Sequence, residues 1–369
     1  MTERKKIWLY QSYSDKTDRD AVNSVLKRGS WWIKGKEITE FERKLSEYVG
    51  VEHAVTFNSG TSGLFASLLA NNVKGGEVIL PSFTYVATAD AVVNAGAKPV
   101  FADIERDTFG LDVESVKNRV NDKTKAIICM HYLGNICRDV KKIKILASDK
   151  HIPFIEDAAH ALGATLDNKK AGSFSDSAMF SFSFNKIITT GEGGAVVTDS
   201  DKLCKKLRLI RSQGQTSTKD VILPGFNIRM SSMTAALGIS QLQKIEELIK
   251  KRNQIAMFYK EEFKDLPVYL PQINKDKRCV FQRFSIVLND KKTRDDLVDY
   301  LKENGIDSTK SYQPVHLFSY FKETYGYDKG LCPVAESVSD RMIVIPFHLL
   351  LSESELAYIS NTIKKFFKK

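Results

Sequence analysis

One lysine, one aspartate and a turn of small hydroxyl-bearing residues carry the chemistry that this sequence can do. Lys186 sits in Phe180-Ser181-Phe182-Ser183-Phe184-Asn185-Lys186-Ile187-Ile188-Thr189-Thr190-Gly191-Glu192-Gly193-Gly194, and a second apolar run, Ala195 to Thr198, follows. The alternation of three phenylalanines with serines predicts a strand with one apolar face over 180–184. Gly191 to Gly194 predict a sharp reversal that uses positive φ. A lysine delivered between two buried strands is costly to keep charged, so its pKa should fall and its amine become nucleophilic. The plain alternative is an ammonium group that reaches water at a strand end.

Three other stretches narrow the choice. Asn58-Ser59-Gly60-Thr61-Ser62-Gly63 precedes a predicted helix, where hydroxyls and free N–H groups can hold an anion or simply cap the helix. Pro81-Ser82-Phe83-Thr84-Tyr85 sets two aromatic rings at a strand end, where either could cover a flat ring or pack in the core. Glu156-Asp157-Ala158-Ala159-His160-Ala161-Leu162-Gly163-Ala164 sets a carboxylate pair among small residues. A carboxylate about 4 Å from a cationic ring nitrogen gains roughly 4 kcal/mol at an intermediate dielectric. Together these features ask for a flat, phosphorylated aromatic ring with a basic nitrogen, joined to a lysine. Pyridoxal 5′-phosphate meets each demand, with Lys186 forming the Schiff base, Asp157 on the ring nitrogen and residues 58–63 around the phosphate.

The elements that must position these groups alternate. Ala54–Phe57, Glu77–Leu80, Pro99–Ala102, Ala126–Met130 and Pro153–Ile155 read as buried strands, with helices over Thr61–Asn71 and Thr84–Ala95. Such alternation predicts a mostly parallel sheet covered by helices, with ligands gathered at the carboxyl ends of its strands. Ahead of it, Ile38–Tyr48 has the spacing of a helix, and Trp31-Trp32-Ile33-Lys34-Gly35-Lys36 reads as an aromatic, basic turn whose tryptophans are expected to pack. Near residue 245 the character shifts. A charged helix over Lys244–Glu262 is broken by Leu266–Pro271, and a strand at Phe281–Val287 with helices at Thr293–Asn304 and Glu353–Phe367 predicts a smaller α+β lobe. The expected division is a large domain over 1–245 and a small one over 246–369.

Bulk properties remove other classes. The 369 residues are 43% hydrophobic and 27% charged, the profile of a globular chain, and their number exceeds what one core usually serves. A net charge of +10 with scattered lysines suits phosphorylated small molecules better than nucleic acid. Five separated cysteines without a CxxC pair indicate neither a disulfide framework nor a metal site. No stretch approaches the ~20 apolar residues of a membrane span, and Met-Thr-Glu-Arg-Lys-Lys is not the start of a signal peptide, so a cytoplasmic protein is expected.

The ordered set NSGTSG, PSFTYVAT, IEDAAHALGA, the Lys186 segment and GFNIRM resembles the DegT/DnrJ/EryC1/StrS sugar aminotransferases over roughly residues 30 to 365. The resemblance implies a fold-type I, pyridoxal-phosphate-dependent transferase of the aspartate aminotransferase-like architecture, a homodimer with active sites at the subunit interface. It makes Lys186 the Schiff-base lysine and proton shuttle, and Asp157 the partner of the ring nitrogen. It puts Tyr85 on the ring, His160 at the ring hydroxyl, and Gly60, Thr61, Ser62 and Ser181 at the phosphate, with Asn227 arriving from the other subunit. Lys34, Lys36, Arg229 and His316 become candidates for substrate contact, and no metal is implied. His160 stands where members often carry Gln, and Ser232 where an acidic residue is usual.

The implied reaction is a two-step exchange. L-glutamate gives its amino group to the cofactor, leaving pyridoxamine 5′-phosphate, which aminates a nucleotide-diphosphate keto-6-deoxy sugar. The wording around Lys186, with Gly35-Lys36 in the basic turn, is most similar to members that turn GDP-4-keto-6-deoxy-mannose into GDP-perosamine, a sugar of lipopolysaccharide O-antigens. UDP- and dTDP-linked keto-sugars are the alternatives. A sugar 3-dehydratase would carry a histidine at position 186, and a non-catalytic relative would be expected to lack Lys186 or Asp157.

Overall fold

The computed structural model describes residues 6–270 and 276–368; Pro271 of the predicted helix break, the first five residues and Lys369 lie outside them. Seven strands form the main sheet: β1 (His53–Phe57), β2 (Glu77–Pro81), β3 (Lys98–Ala102), β4 (Thr124–Met130), β5 (Phe154–Asp157), β6 (Ser177–Ser181) and β7 (Gly194–Thr198). Their spatial order is β1-β7-β6-β5-β4-β2-β3. The pairs from β6 through β3 are parallel, while β7 runs antiparallel to both β6 and β1. This is the mostly parallel, helix-covered sheet that the alternation predicts.

Both faces of the sheet are apolar, as crossover helices require. Along β4, Ile127 and Cys129 join one buried cluster with α1 of this layer (Lys36–Val49), through Phe41 and Leu45. Ala126, Ile128 and Met130 join the opposite cluster, with α2 (Gly60–Ala70) and α3 (Val86–Asn94). The period of two in one strand thus serves two cores. The 19-residue helix α4 (Ile245–Phe263) leads to a separate cluster built on β8 (Phe284–Val287) and β10 (Met342–Ile345), beside which runs β9 (Thr309–Lys310). These three strands form their own antiparallel sheet, in the order β8-β10-β9.

The segment around Lys186 differs from its predicted form. The strand covers Ser177–Ser181, and 184–188 is an irregular turn. Phe180 and Phe182 are fully buried, whereas Phe184 is 52% exposed, so the apolar alternation stops two residues early. Only Gly191 in the Gly191–Gly194 turn takes positive φ, at 80°. Gly194 is needed for another reason: a Cβ there would strike the backbone of Ser59 and Gly60. The tryptophans also depart from expectation, since Trp31 is 68% and Trp32 43% exposed in the chain. The hydroxyl of Ser232 holds their turn, accepting from Gly35 N at 3.0 Å and donating to Trp31 O at 2.9 Å.

Candidate active site

The ends of β5 and β6, the start of α2 and the turn after β6 converge on a cavity of about 510 Å³. Gly60, Thr61, Tyr85, Asp157, His160, Ser181 and Lys186 all line it, although they are dispersed over 127 positions of sequence. Register explains the convergence. Asp157 lies opposite Met130 on β4 and Met179 on β6, and Ser181 lies opposite Gly194 on β7. The sheet therefore presents the carboxylate and the serine at one end and on one face.

Each group is tuned by its surroundings. The Lys186 amine opens onto the cavity but is otherwise surrounded by protein; burial and the nearby Arg283 guanidinium bring its pKa from 10.5 to about 7, against the opposing pull of Asp157 and Glu192. It is thus substantially neutral near neutral pH, the form a nucleophile needs. Asp157 is 3% exposed and accepts from Thr88 Oγ1 at 2.8 Å and Ala159 N at 3.2 Å. Burial raises its pKa even so, outweighing those two bonds and the charge interactions with Lys186 and His131; among the described residues Asp157 forms no ion pair. A ring nitrogen carrying a proton would supply the cation for one.

His160 is 1% exposed, and burial together with Lys186 and Arg283 pushes its pKa well below 6.5. Its Nε2 is 3.4 Å from the Tyr312 hydroxyl, and its Nδ1 is buried without a hydrogen-bond partner among the described residues. At the start of α2, the Ser59 hydroxyl caps the helix by accepting from Ser62 N at 3.1 Å. The cap leaves the amides of Gly60 and Thr61 free to meet an anion at the positive end of the helix. An orphaned buried nitrogen, an unneutralised buried carboxylate and an open anion cradle around one neutral amine fit a phosphorylated pyridine aldehyde.

Several expected residues lie elsewhere. Ser62 does not reach the cavity; its hydroxyl accepts from Ser59 at 2.9 Å. His316 is fully buried, with Nδ1 2.5 Å from Ser82 Oγ and Nε2 3.1 Å from Glu336 Oε1. Both nitrogens are engaged within the protein, and His316 does not line the cavity. Lys34, Lys36, Asn227 and Arg229 do not line the cavity of their own chain. Of the two rings at the end of β2, Tyr85 faces the cavity while Phe83 is buried against Tyr132 and Tyr312.

Sequence reading overlooked Arg283, Tyr10, Thr88 and Glu192, all on the cavity wall. Arg283 sits at the start of β8, far along the chain from every motif, in a stretch whose only signal was strand-like apolarity. An arginine in such a run, Cys279-Val280-Phe281-Gln282-Arg283-Phe284, is the clue that could have found it.

The chain is similar to known proteins along nearly its whole length. The model of the DegT/DnrJ/EryC1/StrS aminotransferase family matches residues 12–364. The GDP-perosamine synthase of Vibrio cholerae is 35% identical over 367 residues, 97% of this chain and 98% of that one. The UDP-4-amino-4,6-dideoxy-N-acetyl-beta-L-altrosamine transaminase of Campylobacter jejuni (strain NCTC 11168) is 33% identical, covering 96% of each. The solved structure of Spr1654 from Streptococcus pneumoniae, described as a sugar aminotransferase in its PMP form, superposes with a TM-score of 0.94 at 27% identity. It covers 99% of this chain and 98% of its own.

Proposed function

The chain belongs to the DegT/DnrJ/EryC1/StrS aminotransferase family and is a pyridoxal-phosphate-dependent sugar aminotransferase; from that premise we propose that it transfers the amino group of L-glutamate to a GDP-linked 4-keto-6-deoxy sugar. The observation that carries the reading is Lys186, an amine with a pKa of about 7 in a cavity it shares with buried Asp157. The 35% identity to the Vibrio cholerae GDP-perosamine synthase over nearly the whole chain favours GDP-4-keto-6-deoxy-mannose as acceptor and GDP-perosamine as product. The 33% identical Campylobacter jejuni relative favours a second reading, a UDP-linked keto-sugar.

In this reading Lys186 holds the cofactor and then moves the proton from the donor's α-carbon. Asp157 keeps the ring nitrogen protonated, fixed in place by Thr88 and the Ala159 amide. Tyr85 covers the ring, His160 meets its hydroxyl through the unpartnered nitrogen, and Gly60, Thr61 and Ser181 take the phosphate. When bound, pyridoxal phosphate supplies an electron-withdrawing ring that spreads the charge left at the α-carbon. Residues 1–245 then act as the cofactor-binding domain and 246–369 as the smaller lobe over its mouth.

A homodimer completes the reading. Trp31, Trp32, Ile33, Val221, Ile222 and Phe226 are all exposed on one chain, an amount of apolar surface that suits burial against a second copy. Asn227 and Arg229 follow directly on Phe226, and in the dimer Asn227 reaches the partner's phosphate site while Lys34, Lys36 and Arg229 approach the sugar nucleotide. The test is spectroscopic. Purified protein with pyridoxal phosphate should develop the absorption band of lysine-bound cofactor and lose it on addition of glutamate. GDP-4-keto-6-deoxy-mannose should restore the band. Restoration by UDP-linked keto-sugars alone would transfer the assignment to the second reading, and no band in folded protein would defeat the assigned role of Lys186.

A further inference from the structure

The turn that carries Lys186 is held from outside the main sheet. Residues 184–188 form no regular element, and among the described residues the carbonyls of Phe184 and Asn185 receive no main-chain N–H. The main-chain bonds of the turn are local, Lys186 N to Ser183 O at 3.0 Å and Thr190 N to Phe182 O at 2.9 Å. They close the turn without anchoring the two carbonyls. Side chains do that instead: Ser12 Oγ donates to Phe184 O at 2.7 Å, and Gln282 Nε2 donates to Asn185 O at 2.7 Å.

The two donors are not equivalent. Ser12 is exposed, so water can take over its bond. Gln282 is fully buried, two residues before β8, and is fixed through main chain and side chain alike. Its N–H donates to Leu133 O at 3.0 Å, and its carbonyl accepts from Nη1 of Arg252, a buried residue of α4, at 3.3 Å. Its Oε1 accepts from Arg283 Nε at 2.8 Å. A guanidinium N–H can only donate, so the amide oxygen must face Arg283 and the amide nitrogen must face Asn185. One planar group thus spans the Arg283 side chain and the Lys186 turn, and Arg283 and Lys186 both line the cavity. The amide has no soft torsion between its oxygen and its nitrogen, so neither contact can move without the other.

We propose that Gln282 is a positioning residue for Lys186: its amide sets the Asn185 peptide, and through it the point from which the lysine amine reaches into the cavity. This rests on the reading of Lys186 as the reactive lysine of a transaminase. It gives the stretch before β8 a part in catalysis, although that stretch lies 97 positions from the lysine segment it holds. Ser12 has a supporting part, and its own segment is tied to the stretch after β10, where Phe347 N donates to Leu9 O at 3.2 Å.

The test compares cofactor-loaded wild type with Gln282→Met, Gln282→Glu and Ser12→Ala. Gln282→Met keeps the length and loses both side-chain bonds. Gln282→Glu, ionised, keeps an acceptor for Arg283 and has no donor for Asn185. Hydrogen exchange over 183–190, read by mass spectrometry, should quicken on the order of tenfold in both Gln282 variants, with α1 and α2 unchanged. The glutamate half-reaction at saturating donor should slow by roughly 10–10²-fold in both, while sugar-nucleotide KM changes less than about threefold. Ser12→Ala should follow the same pattern with changes below about threefold, because its bond is open to water. Unchanged exchange over 183–190 would overturn the proposal, and exchange raised evenly along the chain would reduce Gln282 to general packing. A rate lost in Gln282→Met but kept in Gln282→Glu would also overturn it, because only the contact with Arg283 would then matter. Wild-type protein without the absorption band of lysine-bound cofactor would defeat the reading of Lys186 itself, and the catalytic part of the proposal with it.

Discussion

Glu156 and Asp157 are adjacent carboxylates with opposite roles, because successive side chains of β5 point to opposite faces. Burial works against the charge on Glu156, but His131 at 2.7 Å, the amides of Gly172 and Phe174 and the Ser175 hydroxyl hold its pKa low. Asp157 has fewer partners, and burial wins. Asp157→Asn should therefore still bind cofactor yet lose at least about 10²-fold in turnover, since a neutral amide stabilises a protonated ring nitrogen poorly; a near-wild-type rate would put another group under the ring. Lys186→Ala should fold and show no transamination in the same assay. Lys186 also predicts a pH effect in cofactor-free protein. Its folded pKa of about 7 lies below the ordinary 10.5, so below pH 7 both states hold the proton and the folded state bears the full burial cost. That cost falls as pH rises from 7 toward 10.5. Lys186→Met should raise Tm most below pH 7 and progressively less above it, as thermal melts across the range would register.

At the scale of elements, what was legible depended on how local the signal was. The helices of 36–49 and 245–263 and six of the seven sheet strands follow from apolar runs and periodicity, whereas the strand before Lys186 was expected over 180–184 and lies over 177–181; the cavity-facing residues follow from the small and polar side chains just beyond strand ends. Phe184 misled because alternation cannot say where a strand stops; the chain leaves the sheet once Ser181 has met Gly194. His316 stood out in sequence because a histidine looks the same there whether it faces a cavity or is buried with both nitrogens engaged. Arg283 was missed because its neighbours on the cavity wall are distant in the chain, Lys186 well before it and Tyr312 after it. Two predictions belong here. Gly194→Ala forces a methyl group into the start of α2 and should cost about 1–3 kcal/mol, with weakened cofactor affinity, measured by melting and by titration of the absorption band. His316→Phe deprives the Ser82 hydroxyl and the Glu336 carboxylate of their shared partner; it should lower stability by roughly 2–4 kcal/mol in denaturant unfolding, while sugar-nucleotide KM changes less than about threefold in the folded enzyme.

For the whole molecule, the proposed homodimer, which would bury the exposed apolar surface and carry Asn227 and Arg229 to a second copy, would make assembly a condition for activity. Ile222→Glu, which puts a charge on that surface, should shift sedimentation velocity toward the monomer and reduce turnover in parallel; an active monomer would restrict the site to one chain. The sheet order has a consequence in time as well as in space. β1 pairs with β7 alone, so residues 53–57 have no strand partner until residues 194–198 have been made. At a synthesis rate of roughly 5–20 residues per second, that strand waits on the order of ten seconds with its edge unsatisfied. The helix start that is proposed to cradle the phosphate follows it directly, and Gly194 closes against that start. Cofactor capture on a ribosome therefore has a definite earliest moment, and a nascent chain halted before β7 should be a client for chaperones rather than a reservoir for the vitamin.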